Sequence, residues 1–148
     1  MAYPDRQLLA SEIYEALDHI KSFLGVFSRD KLPNLNTKRT FSLIINLDDS
    51  RGPGTHWTAV FNNAKSPYLY YFDSFGVGPP AELRSNKPVI SNDQQLQALR
   101  SSACGYYCID FIKSMYRGML YSTFVLKYTN DQKRNESILM QRVKVNRF

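Results

Sequence analysis

Two strand-like runs around a short polar connection place the strongest constraint on the fold of this 148-residue chain. Residues 55–62 and 68–73 are rich in aromatic and β-branched side chains, which favour strands. The five residues between them are polar or turn-forming. This pattern predicts an antiparallel β-hairpin.

The register of the hairpin decides whether two polar side chains meet. With a turn centred between Ala64 and Lys65, His56 stands directly opposite Asp73. Directly opposed side chains share a face, with Cβ atoms about 4.5–5.5 Å apart, so an imidazole and a carboxylate can hydrogen-bond. A slip of one residue would place them on opposite faces of the sheet. The sequence therefore predicts a His–Asp pair that depends on the register.

The remaining segments predict a single α+β domain over residues 1–148, a small mixed or antiparallel sheet packed by helices. Its 43% hydrophobic residues suffice for one buried core. Apolar periodicity and β-branched runs predict the elements, which are helices over residues 9–24, 103–120 and 129–148 and strands over residues 41–47 and 88–91. Gly25 is expected to end the first helix, and turn residues predict irregular chain over residues 30–34, 48–54 and 74–80.

A thiol at the start of a predicted helix is the strongest functional signal. Cys104 follows Ser101 and Ser102, either of which suits a helix N-cap. The positive end of the helix dipole stabilises a thiolate, which is the nucleophilic form of cysteine. Gly105 is expected to leave space for a substrate carbonyl, and Cys108, one turn on, is expected to be structural. Taken alone, Cys104 is also compatible with a buried core cysteine.

A base, a carboxylate and an amide would complete a cysteine hydrolase. His56 suits a general base oriented by Asp73, whereas His19 lies in the first predicted helix and is expected to be solvated or capping. Gln97 and the backbone N–H of Cys104 could both donate to an oxyanion. Each residue also has an ordinary interpretation as a strand histidine, a turn carboxylate or a surface glutamine. Their combination favours an enzyme.

The order of these residues resembles the adenain-type cysteine proteases of adenoviruses, related large DNA viruses and polinton-type elements. The chain carries His56-Trp57, then an aromatic strand that closes on Asp73, then Gln97 seven residues before Cys104. It resembles the SUMO- and ubiquitin-like-specific proteases more distantly. Adenovirus enzymes have Glu where Asp73 stands, and polinton-like relatives have Asp. The resemblance also includes residues 23–33 and 45–57, and it spans residues 9–120 overall.

The resemblance implies a papain-like fold rearranged in chain order. Its roles would be Cys104 as nucleophile, His56 as base, Asp73 as orienting carboxylate and Gln97 as oxyanion donor. Trp57 would wall a narrow cleft for small residues, often glycine, before the scissile bond. The implied activity is a viral or virus-derived cysteine endopeptidase that matures capsid and core precursor proteins through a thioester acyl-enzyme. The chemistry would need no cofactor, and DNA or a peptide would be the candidate activator.

Charge and targeting signals bear on partners. The net charge of +6 indicates attraction to polyanions, and the C-terminal third concentrates the cations Lys113, Arg117, Lys127, Lys133, Arg134, Arg142, Lys144 and Arg147. If several share a face, non-specific DNA binding is expected, as the resemblance also implies. We expect no metal, no membrane partner and no secretion, because zinc spacing, a spanning apolar run and a signal peptide are not visible. We also expect a monomer in the host nucleus or virion.

Two alternatives remain open at this level. The first is an isopeptidase that removes ubiquitin-like modifiers, with the same chemistry and a different substrate. The second is a noncatalytic basic nucleic-acid-binding module that retains the fold. A thiol-reactive probe would separate the two enzymes from the noncatalytic module.

Overall fold

The computed structural model describes residues 6–48, 56–98 and 101–146, with side chains described as far as residue 142. Most of the predicted turn over residues 48–54 lies outside these ranges. The helices are α1 (Ala10–Leu17), α2 (Cys104–Tyr116), α3 (Tyr121–Leu126) and α4 (Gln132–Asn146), with a 3₁₀ turn at Arg29–Lys31. The strands are β1 (Phe23–Ser28), β2 (Phe41–Asn46), β3 (Trp57–Asn62), β4 (Leu69–Phe72) and β5 (Val89–Ser91).

Within the described residues, the five strands form one mixed sheet in the order β1-β2-β3-β4-β5. The β2–β3 and β3–β4 pairs are antiparallel, whereas β1 joins β2 and β5 joins β4 in parallel. The predicted hairpin is confirmed as β3 and β4, and the strands predicted over residues 41–47 and 88–91 are confirmed as β2 and β5, whereas β1 was not predicted as a strand. Because β3 is central, both of its faces are buried, and the site described below lies at its first residue.

Apolar side chains cover both faces of the sheet. The helical face carries the larger core, in which aromatic rings of the sheet pack on those of α2 and α3. Its central ring contacts join Phe72, Phe111 and Phe124. A smaller cluster around Leu43, Tyr71 and Leu83 covers the other face. The predicted α+β class, with helices packed on a small sheet, is confirmed.

The first helix is shorter than predicted. It ends at Leu17, and Leu24, which fitted the helical period, lies in strand β1. Pairing with the buried strand β2 outweighs the helical spacing of residues 20–24. Gly25 is not a helix cap, because it adopts φ +130° inside β1, where the β1–β2 register is irregular. Only glycine adopts that conformation without strain, so the residue marks a bulge in the strand.

The helix predicted over residues 103–120 is confirmed as α2 but ends earlier than predicted, and the separate helix α3 that follows was not predicted. Gly118 adopts φ +89°, and the N–H of Met119 donates to the carbonyl of Ser114 at 3.1 Å. This 6→1 bond around a left-handed glycine is a Schellman C-cap, which ends α2. The chain then turns into α3, whose Phe124 is fully buried in the larger core. The last predicted helix is confirmed as α4.

Candidate active site

The hairpin brings the predicted His–Asp pair together in a register different from the predicted one. Ala59 faces Phe72, and continuing that pairing places His56 opposite Phe75 and not opposite Asp73. The predicted turn centre is therefore wrong by one position. Because this shifts the pairing by two residues, an even number, His56 and Asp73 stay on one face as diagonal neighbours. The contact survives although the register prediction is wrong.

The imidazole of His56 is held by a carboxylate and by an aromatic ring. Its Nε2 lies 2.7 Å from Oδ1 of Asp73, which is 1% exposed. The same oxygen accepts the backbone N–H of Phe75 at 2.8 Å. The Phe75 ring stacks on the imidazole with centroids 4.6 Å apart. The ring of His56 is thereby fixed in both its plane and its direction.

Asn92 fixes the backbone of the carboxylate. Its Oδ1 accepts the N–H of Asp73 at 3.0 Å, and its Nδ2 donates to the Asp73 carbonyl at 2.6 Å. The hydroxyl of Tyr121 donates to the same Oδ1 at 3.4 Å. Asn92 directly follows the edge strand β5, so the sheet itself sets the position of Asp73.

The environment of His56 favours the charged imidazolium. Burial alone would lower the pKa of His56, but the hydrogen bond and charge of Asp73 and the adjacent Cys104 sulfur outweigh it and raise the pKa to about 9. Nδ1 is buried, and no group among the described residues meets hydrogen-bond geometry with it. Since Nε2 is committed to Asp73, Nδ1 is the ring atom left to exchange a proton with the neighbouring thiol.

Cys104 is the first residue of α2, as predicted for an activated thiol. The N-cap residue is Ala103 and not Ser101 or Ser102, so the capping prediction is wrong. Ser101 contributes differently, because its hydroxyl accepts the N–H of Ala103 at 3.1 Å. The backbone N–H of Cys104 belongs to the first turn, where helical N–H groups have no partner within the helix. The thiol and a backbone N–H that has no partner within the helix therefore belong to the same residue.

Gln97 lies beside this helix start and is fully buried. Its Oε1 accepts a short hydrogen bond from the hydroxyl of Ser74, and its Nε2 donates to the carbonyl of Ser101 at 2.8 Å. A primary amide carries two N–H donors. One of them is used by Ser101, and the role of the other as an oxyanion donor stays a prediction.

The prediction of open space beside Gly105 is wrong. A Cβ built on this residue would lie 3.1 Å from two side-chain atoms of Leu8 and 3.4 Å from Ile13. That distance is tighter than ordinary contact. A Cβ at this position would press against Leu8, because the N-terminal segment and α1 pack directly on the start of α2.

Trp57 and Cys108 lie below the site. Trp57 is 3% exposed, and its indole N–H donates to the Leu8 carbonyl at 3.0 Å. It backs the site from the core and offers little surface to a ligand. Cys108 donates to the Trp57 carbonyl at 3.3 Å, and burial raises the pKa of its thiol. The inert role predicted for Cys108 agrees with this environment, while the substrate-contact role of Trp57 stays a prediction.

Other titratable groups do not join the site. His19 lies outside it, in the turn that follows α1.

No group of three or more His, Cys, Asp or Glu side chains is placed to hold a metal ion in the part of the chain that the structure describes. Among the described helices, none is both long and apolar enough to cross a membrane.

Sequence reasoning missed three residues that support the predicted ones: Ser74, Phe75 and Asn92. Two of them directly follow Asp73, so the segment Asp-Ser-Phe-Gly was a usable signal. Asn92 had no such signal, because its contact depends on parallel pairing between β4 and β5.

Comparisons with known proteins find similarity to two viral proteases. The chain is 25% identical over 109 residues to the "Cysteine protease S273R" of African swine fever virus, isolate Tick/Malawi/Lil 20-1/1983. It is 28% identical over 125 residues to the "Protease" of Frog adenovirus 1, strain ATCC VR-896. The chain is similar to adenain-type viral cysteine proteases. No family model matches it.

These matches cover much of the chain and less of the relatives. They include 63% and 71% of the chain but 40% and 59% of the two relatives, respectively. The crystal structure of the African swine fever virus pS273R protease superposes with a TM-score of 0.66 over 89% of the chain and 66% of that protease, at 17% identity. A selenomethionine form of the same protease gives a TM-score of 0.64. The fold therefore matches that of the African swine fever virus pS273R protease.

Proposed function

We propose that this protein is a cysteine endopeptidase. The observation that carries the proposal is the convergence of Cys104 at a helix start, the His56–Asp73 pair and the buried Gln97 amide. These groups supply a nucleophile, an oriented base and an oxyanion donor. The similarity to viral cysteine proteases supports the same activity.

The proposed mechanism starts from a Cys104 thiolate beside a His56 imidazolium. The thiolate of Cys104 attacks the substrate carbonyl carbon, and the imidazolium of His56 transfers its proton to the leaving amine. Water, deprotonated by the neutral imidazole, then attacks the thioester carbon; the carbon–sulfur bond breaks, the product acid leaves, and the thiolate and imidazolium are restored. Both tetrahedral oxyanions accept from the remaining N–H of Gln97 and the backbone N–H of Cys104. Apart from the attacking water, the proposed steps use only groups of the chain, so the proposed chemistry involves no cofactor.

The proposed substrates are viral structural precursor proteins, cleaved after small residues such as glycine during virion maturation. This rests on the relatives named "Protease" and "Cysteine protease" from viruses and on the resemblance of the site segments. We further propose action as a monomer in the host nucleus or virion, with DNA or a peptide as the activator.

Cleavage of glycine-containing peptides, followed by mass spectrometry, tests the activity. Cys104→Ala should abolish cleavage, whereas the matched variant Cys108→Ala should retain much of it, because only Cys104 begins the helix. Circular dichroism checks that both variants fold. Equal loss in two folded variants would refute Cys104 as the nucleophile.

The two alternatives are outcomes of the same assay. Cleavage of a ubiquitin-like fusion in preference to capsid-derived peptides would indicate a modifier-specific isopeptidase. Absence of cleavage, together with no selective labelling of Cys104 by iodoacetamide, would indicate a noncatalytic module.

DNA binding is a second proposed property, supported by side chains on α2 and α4. Burial and the nearby charge of Arg117 both lower the pKa of Lys113, so these two cations lie close together on α2. Lys133 and Arg134 are exposed on α4. Repulsion between neighbouring positive charges is reduced when a polyanion binds them, and this favours non-specific contact with phosphates.

A further inference from the structure

Ser74 is a buried hydroxyl that the proposed mechanism does not use. It follows Asp73 and is fully buried. Its hydroxyl donates to Oε1 of Gln97, and its backbone carbonyl accepts the N–H of Gln97 at 3.0 Å and that of Leu96 at 2.8 Å. Gln97 is therefore held by Ser74 through its main chain and its side chain.

The orientation of this amide is decided by two anchors together. The carbonyl and NH₂ ends of a glutamine have similar size and opposite hydrogen-bonding character. The carbonyl of Ser101 only accepts, so it selects the Nε2 end of Gln97. Oε1 then faces Ser74, whose hydroxyl must donate. One hydrogen on Nε2 is left over, and its direction is fixed by the other two bonds.

We propose that Ser74 is a positioning residue for the oxyanion donor, because its hydroxyl fixes the direction of the Gln97 amide. Without that hydroxyl, the buried Oε1 of Gln97 loses its hydrogen-bond donor, so rotation of the Gln97 side chain to another orientation becomes more favourable. Asp73 and Ser74 are neighbours in the chain, so one short segment orients both the base and the oxyanion donor. This inference rests on the proposed function, in which Gln97 serves the oxyanion.

A double-mutant cycle over Ser74→Ala and Gln97→Ala tests the dependence. Ser74→Ala should lower kcat on a glycine-containing fluorogenic peptide about tenfold, less than the roughly 10²–10³-fold typical of deleting an oxyanion donor. It should leave KM unchanged. In the Gln97→Ala background the same substitution should change kcat less than about twofold, because the group it positions has gone.

Alkylation of Cys104 by iodoacetamide provides the chemical control. This displacement at a saturated carbon forms no oxyanion, so Ser74→Ala should leave its rate unchanged. Ser42→Ala is the matched variant, because Ser42 is equally buried and bonds Tyr116 at 3.0 Å, away from the site. It should leave both rates unchanged.

NMR reads the orientation without any activity. In the unsubstituted protein, the side-chain amide protons of Gln97 should show cross-peaks to Ser101, and Ser74→Ala should weaken them. Retained cross-peaks, an unchanged kcat, the same loss in both backgrounds, or an equal loss of alkylation would each overturn the role of Ser74. If the unsubstituted protein cleaves nothing, the proposed function fails, and the cross-peaks still decide whether Ser74 orients the amide.

Discussion

Two buried carboxylates, Asp73 and Asp110, are 1% and 0% exposed, yet the fold surrounds them differently. Asp110, on α2, accepts hydrogen bonds from two cationic side chains. Arg142 donates to its Oδ1 at 2.9 Å and its Oδ2 at 3.0 Å, and Lys127 donates to Oδ2 at 3.0 Å. The hydroxyl of Tyr128 adds a further bond at 2.7 Å. Both oxygens of Asp110 are thus occupied by donors from α4 and the segment before it.

Asp73 is only partly satisfied. Oδ1 accepts from His56 and from the backbone of Phe75, while Oδ2 is buried with no hydrogen-bond partner among the described residues. Among the described residues, its one ionisable hydrogen-bond partner is His56, the ring that gives up and takes back a proton in the proposed reaction. Asp110 instead faces a guanidinium, an ammonium and a phenol hydroxyl, none of which the proposed reaction uses.

The difference separates a structural carboxylate from one suited to chemistry. The carboxylate of Asp110, with both oxygens occupied by an arginine, a lysine and a tyrosine hydroxyl, ties α2 to the C-terminal part of the chain. A carboxylate that faces one titratable ring keeps its charge available to stabilise the imidazolium that forms during the reaction. Burial alone does not distinguish them, whereas the identity of the partners does.

The largest effect is expected from Asp110→Ala, and it should fall on stability. Removing one partner of a buried ionic cluster leaves uncompensated cations, which typically costs about 3–5 kcal/mol. Urea denaturation should show that loss, while kcat per folded molecule stays within about threefold. Asp18→Ala, at an exposed carboxylate, should change the free energy of unfolding by less than about 0.5 kcal/mol. An Asp110→Ala protein as stable as the original would break the comparison.

Asp73→Asn should have the opposite profile. An amide cannot stabilise the imidazolium or hold the ring in the same way, so kcat should fall about 10²-fold or more. The free energy of unfolding should change by less than about 1.5 kcal/mol. Asp73→Glu, which keeps a carboxylate, should retain more activity. An Asp73→Asn enzyme with unchanged kcat would show that the His56–Asp73 contact is only structural.

The titration of His56 sharpens the same contrast. The imidazole signal should titrate near pH 9 in the unsubstituted protein, and its midpoint should fall towards the ordinary 6.5 in Asp73→Asn, measured by NMR. Because the folded-state pKa is raised, the stability contributed by His56 is complete below pH 6.5 and is lost as the pH rises through 9. Asp110→Asn, as the control, should leave this midpoint in place. A midpoint unaffected by Asp73→Asn would contradict the assigned cause.

The sequence predicted which candidate residues lie near one another better than it predicted the bounds of the elements that carry them. Cys104, His56, Asp73 and Gln97 were found because each carries chemistry of its own, and an even error in register does not separate a pair on one face. The end of α1 was missed because the helical period continued by chance into a strand that pairs with β2. Contacts such as Asp110 with Arg142 join residues 32 positions apart, and no local pattern encodes them.

Cationic side chains that already contact a buried carboxylate differ from exposed ones in their ability to bind DNA. Lys127 and Arg142, counted among the predicted phosphate-binding residues, are committed to Asp110. Arg117 and the exposed pair Lys133 and Arg134 are better placed to meet a phosphate backbone. Lys144 and Arg147 lie outside the described side chains.

The smallest expected effect follows from that distinction. Binding to a labelled duplex should weaken log-linearly with salt, and each phosphate contact removed should reduce the slope by about 0.9. Lys133→Ala and Arg134→Ala should each lower the slope in fluorescence anisotropy, whereas Lys127→Met should not, because that ammonium already faces a carboxylate. Lys127→Met lowering the slope as much as Arg134→Ala would show that the Asp110 cluster exchanges its partners with DNA. Binding that does not respond to salt would reject the electrostatic account, since counterion release requires that response.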